Sequence, residues 1–127
     1  MYKLNVTSNF SSAHKLDGYE GLCKNLHGHN WKVRIGIICE KVDEIGMTID
    51  FGEVKKYLND VMIMLDHTYL NELEYFEGIN PTSENIAKFI YQEINKRIKV
   101  PECKMADVEV WESDITSMIY FEELENK

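Results

Sequence analysis

Four histidines, His14, His27, His29 and His67, carry most of the chemistry open to this chain. His27-Gly28-His29 is the most informative triplet. Side chains alternate along a strand, so both imidazoles leave the same face, about 7 Å apart along the chain. His14 ends the stretch that reads as the preceding strand. If the two strands pair, its imidazole joins the other two. Three imidazoles meeting at one point make a zinc site with an open fourth position. Such a position lets a metal polarise an oxygen or acidify a hydroxyl. A closed structural site is the competing arrangement, because Cys23, four residues before His27, would complete a four-ligand set. Spacing leaves both open. If it is not a ligand, Cys23 beside a metal and Lys24 has a lowered pKa and suits a general base.

Two further polar positions stand out. Consecutive helix residues point apart, so Asp66 and His67 can cooperate only where the backbone has left the helix. An Asp that holds an imidazole in one tautomer makes a proton-transfer pair; the competing role for His67 is to complement a helix C-terminus. Glu112 ends a strand, where a carboxylate can bind an amidine-like edge through two parallel hydrogen bonds. Cys39 and Cys103 lack such company and read as small buried hydrophobes.

The elements that must position these residues run strand, strand, helix, helix, strand, strand. Residues 3–14 and the β-branched stretch 29–39 read as strands. Asp50 with Glu53 has capping-box spacing, and Val54, Tyr57, Leu58, Val61 and Leu65 follow at helical intervals. Residues 71–80 read as a polar loop. Asn80-Pro81-Thr82-Ser83 opens a second helix, with Thr82 or Ser83 as cap. Its apolar stripe is Ile86, Phe89, Ile90, Ile94 and Ile98, and Pro101 stops it. Residues 106–113 and 116–122 alternate around a turn at Ser113–Asp114. With no repeat and no linker, residues 1–127 read as a single domain of α+β class: an antiparallel sheet with two helices packed on one face.

Composition narrows the function classes. The chain has 127 residues and a formal net charge of -8, from 22 acidic and 14 basic residues. That balance disfavours nucleic acid and anionic membrane surfaces, which attract basic faces. Residues 14–34 run against it, with Lys15, Lys24, Lys32 and Arg34 opposing only Asp17 and Glu20, a field that suits a small anionic ligand. The longest apolar runs, Ile35–Cys39 and Val61–Leu65, fall far short of the roughly 20 residues of a membrane span. The first residues lack the apolar stretch of an export signal, and three unclustered cysteines do not make a disulfide framework. A reduced, cytoplasmic setting is expected.

Six blocks, in order, resemble the 6-pyruvoyltetrahydropterin synthase family of T-fold proteins. They are Phe10-Ser11-Ser12-Ala13-His14, Cys23-Lys24-Asn25-Leu26-His27-Gly28-His29, Ile49-Asp50-Phe51, Leu65-Asp66-His67, Asn80-Pro81-Thr82-Ser83-Glu84-Asn85 and Val110-Trp111-Glu112. The resemblance implies a T-fold with a four-stranded antiparallel sheet. It implies Zn2+ on His14, His27 and His29, a catalytic Cys23, and an Asp66–His67 pair. It gives Glu112 the 2-amino and N3 edge of a pterin, and Thr82, Ser83 and Glu84 the lining of its pocket. It further implies a homohexamer of two stacked trimers with active sites between subunits.

Only three residues separate Cys23 from His27, which resembles the 6-carboxytetrahydropterin synthases of queuosine biosynthesis. The expected reaction converts 7,8-dihydroneopterin triphosphate into 6-carboxy-5,6,7,8-tetrahydropterin, acetaldehyde and triphosphate. No redox cofactor is needed, because side-chain oxidation offsets ring reduction. Lys15, Lys24 and Arg34 are candidates for the triphosphate, although Lys32 and Arg34 share the strand face opposite His27 and His29. The alternatives are a 6-pyruvoyltetrahydropterin synthase, which eliminates triphosphate alone, a zinc hydrolase using a metal-held hydroxide, and a non-catalytic zinc-stabilised module.

Overall fold

The computed structural model describes residues 1–18 and 25–123. Cys23 and Lys24 therefore lie outside the described residues, as does Glu20. Two long strands, β1 (Tyr2–His14) and β2 (His27–Cys39), are followed by α1 (Phe51–Leu65) and α2 (Ser83–Asn95). β3 (Cys103–Trp111) and a short β4 (Ser117–Tyr120) close the chain. The sheet is antiparallel with order β1-β2-β3-β4. The expected element order and α+β class are those observed.

Alternation decides which face the helices cover. In β2, Trp31, Val33, Ile35, Ile37 and Cys39 are all buried, and the β1 residues facing the same way include Leu4, Val6 and Phe10. Against this face α1 lays Val54, Leu58, Val61 and Leu65, and α2 lays Ile86, Ile90 and Ile94. Each such side chain contributes roughly 1.5–3 kcal/mol through burial. The outer face is polar. Arg34 there binds Asp107 at 2.9 Å and Glu109 at 3.2 Å, and Lys3 binds Asp107 at 2.6 Å. A Cβ on Gly36, at the bulge of β2, would meet the Asp107 carboxylate and the Lys3 side chain, whose ends would have to shift.

Asp50 caps α1 by accepting the Gly52 amide, but Glu53 does not close the expected capping box; its carboxylate takes the Tyr57 hydroxyl instead. Thr82 caps α2 by accepting the Asn85 amide at 3.1 Å. That helix ends at Asn95, before Ile98, which packs on the core from beyond it. Two 3-10 turns, Leu70–Glu72 and Glu74–Phe76, occupy the expected polar loop and bury Leu70 and Phe76. Cys39 and Cys103 are buried as expected, yet they are disulfide-bonded rather than separate thiols. They stand directly opposite across β2 and β3, a register their separation of 64 residues conceals. Among the described residues, no helix is long and apolar enough to cross a membrane.

Candidate metal centre and its surroundings

Strand register assembles the site. His14 is paired with His27, and His29 lies two residues further along β2, opposite Ser12. All three imidazoles share the helix-covered face with Trp31. That indole underlies the cluster, with ring centroids 5.0 Å from His14 and 5.2 Å from His29. Phe10 stacks against it, 5.7 Å away and nearly parallel. Glu112 follows the last β2–β3 pair, Lys32↔Trp111, and faces inward with Val108 and Val110. One ring nitrogen of each histidine and a Glu112 oxygen all lie within 4.8 Å of one another.

The hydrogen bonds assign the protons. His14 Nδ1 lies 2.8 Å from the Pro81 carbonyl, and His27 Nδ1 lies 2.6 Å from the Asn25 carbonyl. A carbonyl only accepts, so both Nδ1 atoms donate, and in the neutral imidazoles both Nε2 atoms carry lone pairs. Those two Nε2 atoms are 3.0 Å apart. Among the described residues, His29 Nε2 is buried with no hydrogen-bond partner. Acceptors crowded in this way repel one another unless a cation stands between them. Burial holds the His14 and His29 pKa values below the ordinary imidazole value, which favours the neutral, metal-ligating form. The Pro81 and Asn25 carbonyls orient ligands in the manner usual around metals. The donor set, three imidazoles and a carboxylate, fits zinc.

Asp66 and His67 meet because the helix stops between them. Asp66 is extended and His67 takes the left-handed conformation, with φ 54°. Asp66 Oδ2 lies 2.8 Å from His67 Nδ1, and Asp66 Oδ1 accepts the Ser11 amide at 2.8 Å. The pair lies outside the four-residue cluster, with the imidazole 83% exposed. Thr82 is committed to the helix cap, Ser83 opens the helix, and Glu84 is exposed on its first turn. Arg34 is corrected as a triphosphate candidate, since its guanidinium is held by Asp107 and Glu109 on the face away from the histidines. Lys15 is exposed just past His14.

Three contributors were not foreseen from sequence. Pro81 supplies a carbonyl, which no side-chain motif announces. Asn71 and Asn80 clamp the segment after His14: each side-chain amide exchanges two hydrogen bonds with one backbone unit, at Lys15 and Asp17 respectively. The one available signal was their position, at each end of the presumed polar loop. Glu112 was foreseen as a binding carboxylate, but not beside the imidazoles.

Comparison with known proteins places this arrangement. The family model described as 6-pyruvoyl tetrahydropterin synthase matches residues 3–123. A protein of Archaeoglobus fulgidus, provisionally named 6-carboxy-5,6,7,8-tetrahydropterin synthase, is 38% identical over 84% of this chain and 88% of its own. The 6-carboxy-5,6,7,8-tetrahydropterin synthase of Synechocystis is 36% identical over 88% of this chain and 87% of its own. The solved structure of Caenorhabditis elegans 6-pyruvoyl tetrahydropterin synthase superposes with a TM-score of 0.85 at 25% identity, covering 96% of each chain. With this match running nearly end to end, and with the sheet, helices and histidine cluster in place, the chain belongs to the 6-pyruvoyl tetrahydropterin synthase family.

Proposed function

We propose that this protein is a 6-carboxy-5,6,7,8-tetrahydropterin synthase, a zinc-dependent lyase acting in queuosine (7-deazaguanine) biosynthesis. It converts 7,8-dihydroneopterin triphosphate into 6-carboxy-5,6,7,8-tetrahydropterin, acetaldehyde and triphosphate. The observation that carries this reading is the convergence of the His14, His27 and His29 imidazoles, the first two with Nδ1–H turned away to carbonyls. The names of its relatives support the choice of branch, as does the short Cys23-to-His27 spacing.

Zinc, when bound, supplies a Lewis acid that acidifies the hydroxyls of the substrate's side chain. The protein's own residues do the rest. Cys23 abstracts a side-chain proton. Asp66 holds Nδ1 of His67, so Nε2 is left to exchange a proton with substrate or with Cys23. Because the His67 imidazole faces outward, it serves the site of a neighbouring subunit in a homohexamer. Thr82, Ser83 and Glu84 line the pterin pocket, the Glu112 carboxylate accepts the ring's 2-amino and N3 hydrogens, and Lys24 meets the triphosphate. A cytoplasmic setting completes this reading, with the buried Cys39–Cys103 bond the one observation that stands against it.

The deciding experiment combines metal analysis with turnover of 7,8-dihydroneopterin triphosphate and product identification. Wild type should release acetaldehyde and 6-carboxytetrahydropterin. Cys23→Ala should keep its zinc while kcat falls by at least about 10²-fold, the scale of a lost acid–base group. Loss of zinc together with folding in that variant would instead make Cys23 a structural ligand.

A further inference from the structure

We propose that Glu112 itself closes the metal's fourth position in the substrate-free protein and leaves that position when substrate arrives. This deepens the zinc reading above and rests on it. Zinc–nitrogen and zinc–oxygen bonds of 2.0–2.2 Å give a tetrahedron whose edges are about 3.3 Å. Three of the six edges are 3.0 Å from His14 Nε2 to His27 Nε2, 3.1 Å from His14 Nε2 to Glu112 Oε1, and 3.3 Å from His29 Nε2 to the same oxygen, and the ligand atoms all lie within 4.8 Å of one another. A carboxylate accepting ordinary hydrogen bonds would need donors there. His14 has its Nδ1–H turned to Pro81, and His29 Nε2 makes no aligned hydrogen bond with Glu112 despite its closeness. With His14 neutral, the oxygen faces the lone pair of its Nε2, as the fourth vertex of a coordination sphere does.

The scaffold says which ligand is the one that leaves. His14, His27 and His29 stand on β1 and β2, inside a ladder that runs unbroken from Tyr2↔Cys39 to His14↔His27. Glu112 stands one residue past the end of β3, outside the ladder, with its side chain 28% exposed. Three ligands are fixed by strand pairing, while the fourth can swing on a turn. Hydroxyls of a substrate replace one displaced carboxylate oxygen, and the released carboxylate becomes a hydrogen-bond acceptor for that substrate. This makes the resting site closed to water and the working site open.

The test uses full-length protein loaded with zinc or cobalt(II). Glu112→Gln preserves shape and removes the anionic ligand; circular dichroism and thermal melting confirm that it folds. In chelator competition, zinc affinity should fall at least tenfold in this variant, and addition of thiocyanate should change its cobalt spectrum. Wild-type cobalt protein should be insensitive to thiocyanate, whereas substrate, which takes the vacated position itself, should change its spectrum. Equal thiocyanate responses in wild type and Glu112→Gln, with equal zinc affinities, would overturn the proposal in favour of water at the fourth position. A thiolate-to-cobalt charge-transfer band that vanishes in Cys23→Ala would overturn it in favour of Cys23. Failure of wild type to take up either metal would remove the zinc reading beneath it as well.

Discussion

His67 occupies backbone space that suits glycine better than histidine. Its φ of 54° costs a side-chain-bearing residue of order 1 kcal/mol. The turn is held by Ser11, whose carbonyl accepts the His67 amide at 2.6 Å while its own amide binds Asp66. The Ser11 N–H, and after it the His67 ring, hold the Asp66 carboxyl below its ordinary value of about 3.8. A depressed carboxyl stabilises the fold above the unfolded-state value, and that contribution disappears as pH falls through the lower folded value. The Ser11 amide resonance should therefore titrate in NMR with a midpoint below 3.8 and stop titrating there in Asp66→Asn; an unshifted midpoint would refute the bond. Replacing His67 by Gly relieves the backbone and removes the imidazole. Thermal stability should hold or rise, while kcat falls by about 10²-fold or more. A stability loss with unchanged turnover would make the residue architectural.

Between residue and fold, Asn80-Pro81-Thr82 performs three tasks in succession. The Asn80 amide clamps Asp17, the Pro81 carbonyl orients His14, and the Thr82 hydroxyl caps α2. Thr82→Ala should cost about 1 kcal/mol, the worth of an N-cap, or about 3–6 °C in a domain of this size. Because the cap fixes the stretch that touches His14, zinc affinity should weaken with it. Thr82→Ser, which retains the hydroxyl, should restore both in the same melts and competitions. This is also where legibility in the sequence divides. Helix caps and strand alternation are local, so Asp50, Thr82 and the shared face of His27 and His29 were readable. The Cys39–Cys103 bond and the approach of Glu112 to His29 depend on β2–β3 register, which no local pattern encodes. The Pro81 carbonyl was invisible for a different reason: backbone groups are present at every position, and only the tertiary path selects one.

At the scale of the molecule, the sheet has two open edges. Ser11 and Ala13, near the end of β1, pair with the segment after α1, and the strand from Tyr2 to Phe10 has its outer edge bare among the described residues. On the far side, β4 and its flanks expose Ile115, Met118, Ile119 and Phe121. An exposed strand edge with apolar side chains is a template for pairing with another chain. A closed ring of copies would satisfy both edges at once, β4 of one against β1 of the next, where an open fibre would leave its ends bare. The same ring would carry the outward-facing His67 toward a neighbour's cluster. Ile119 lies on the polar face beside Glu109, away from the core of its own subunit. Ile119→Lys should therefore leave the monomer folded yet weaken assembly. Light scattering should find smaller species and unaltered helicity. Turnover should rise more steeply than linearly with protein concentration, while zinc content stays at the wild-type level, because His14, His27 and His29 come from one chain. Full activity in a purely monomeric variant would show that Asp66 and His67 serve their own subunit or none.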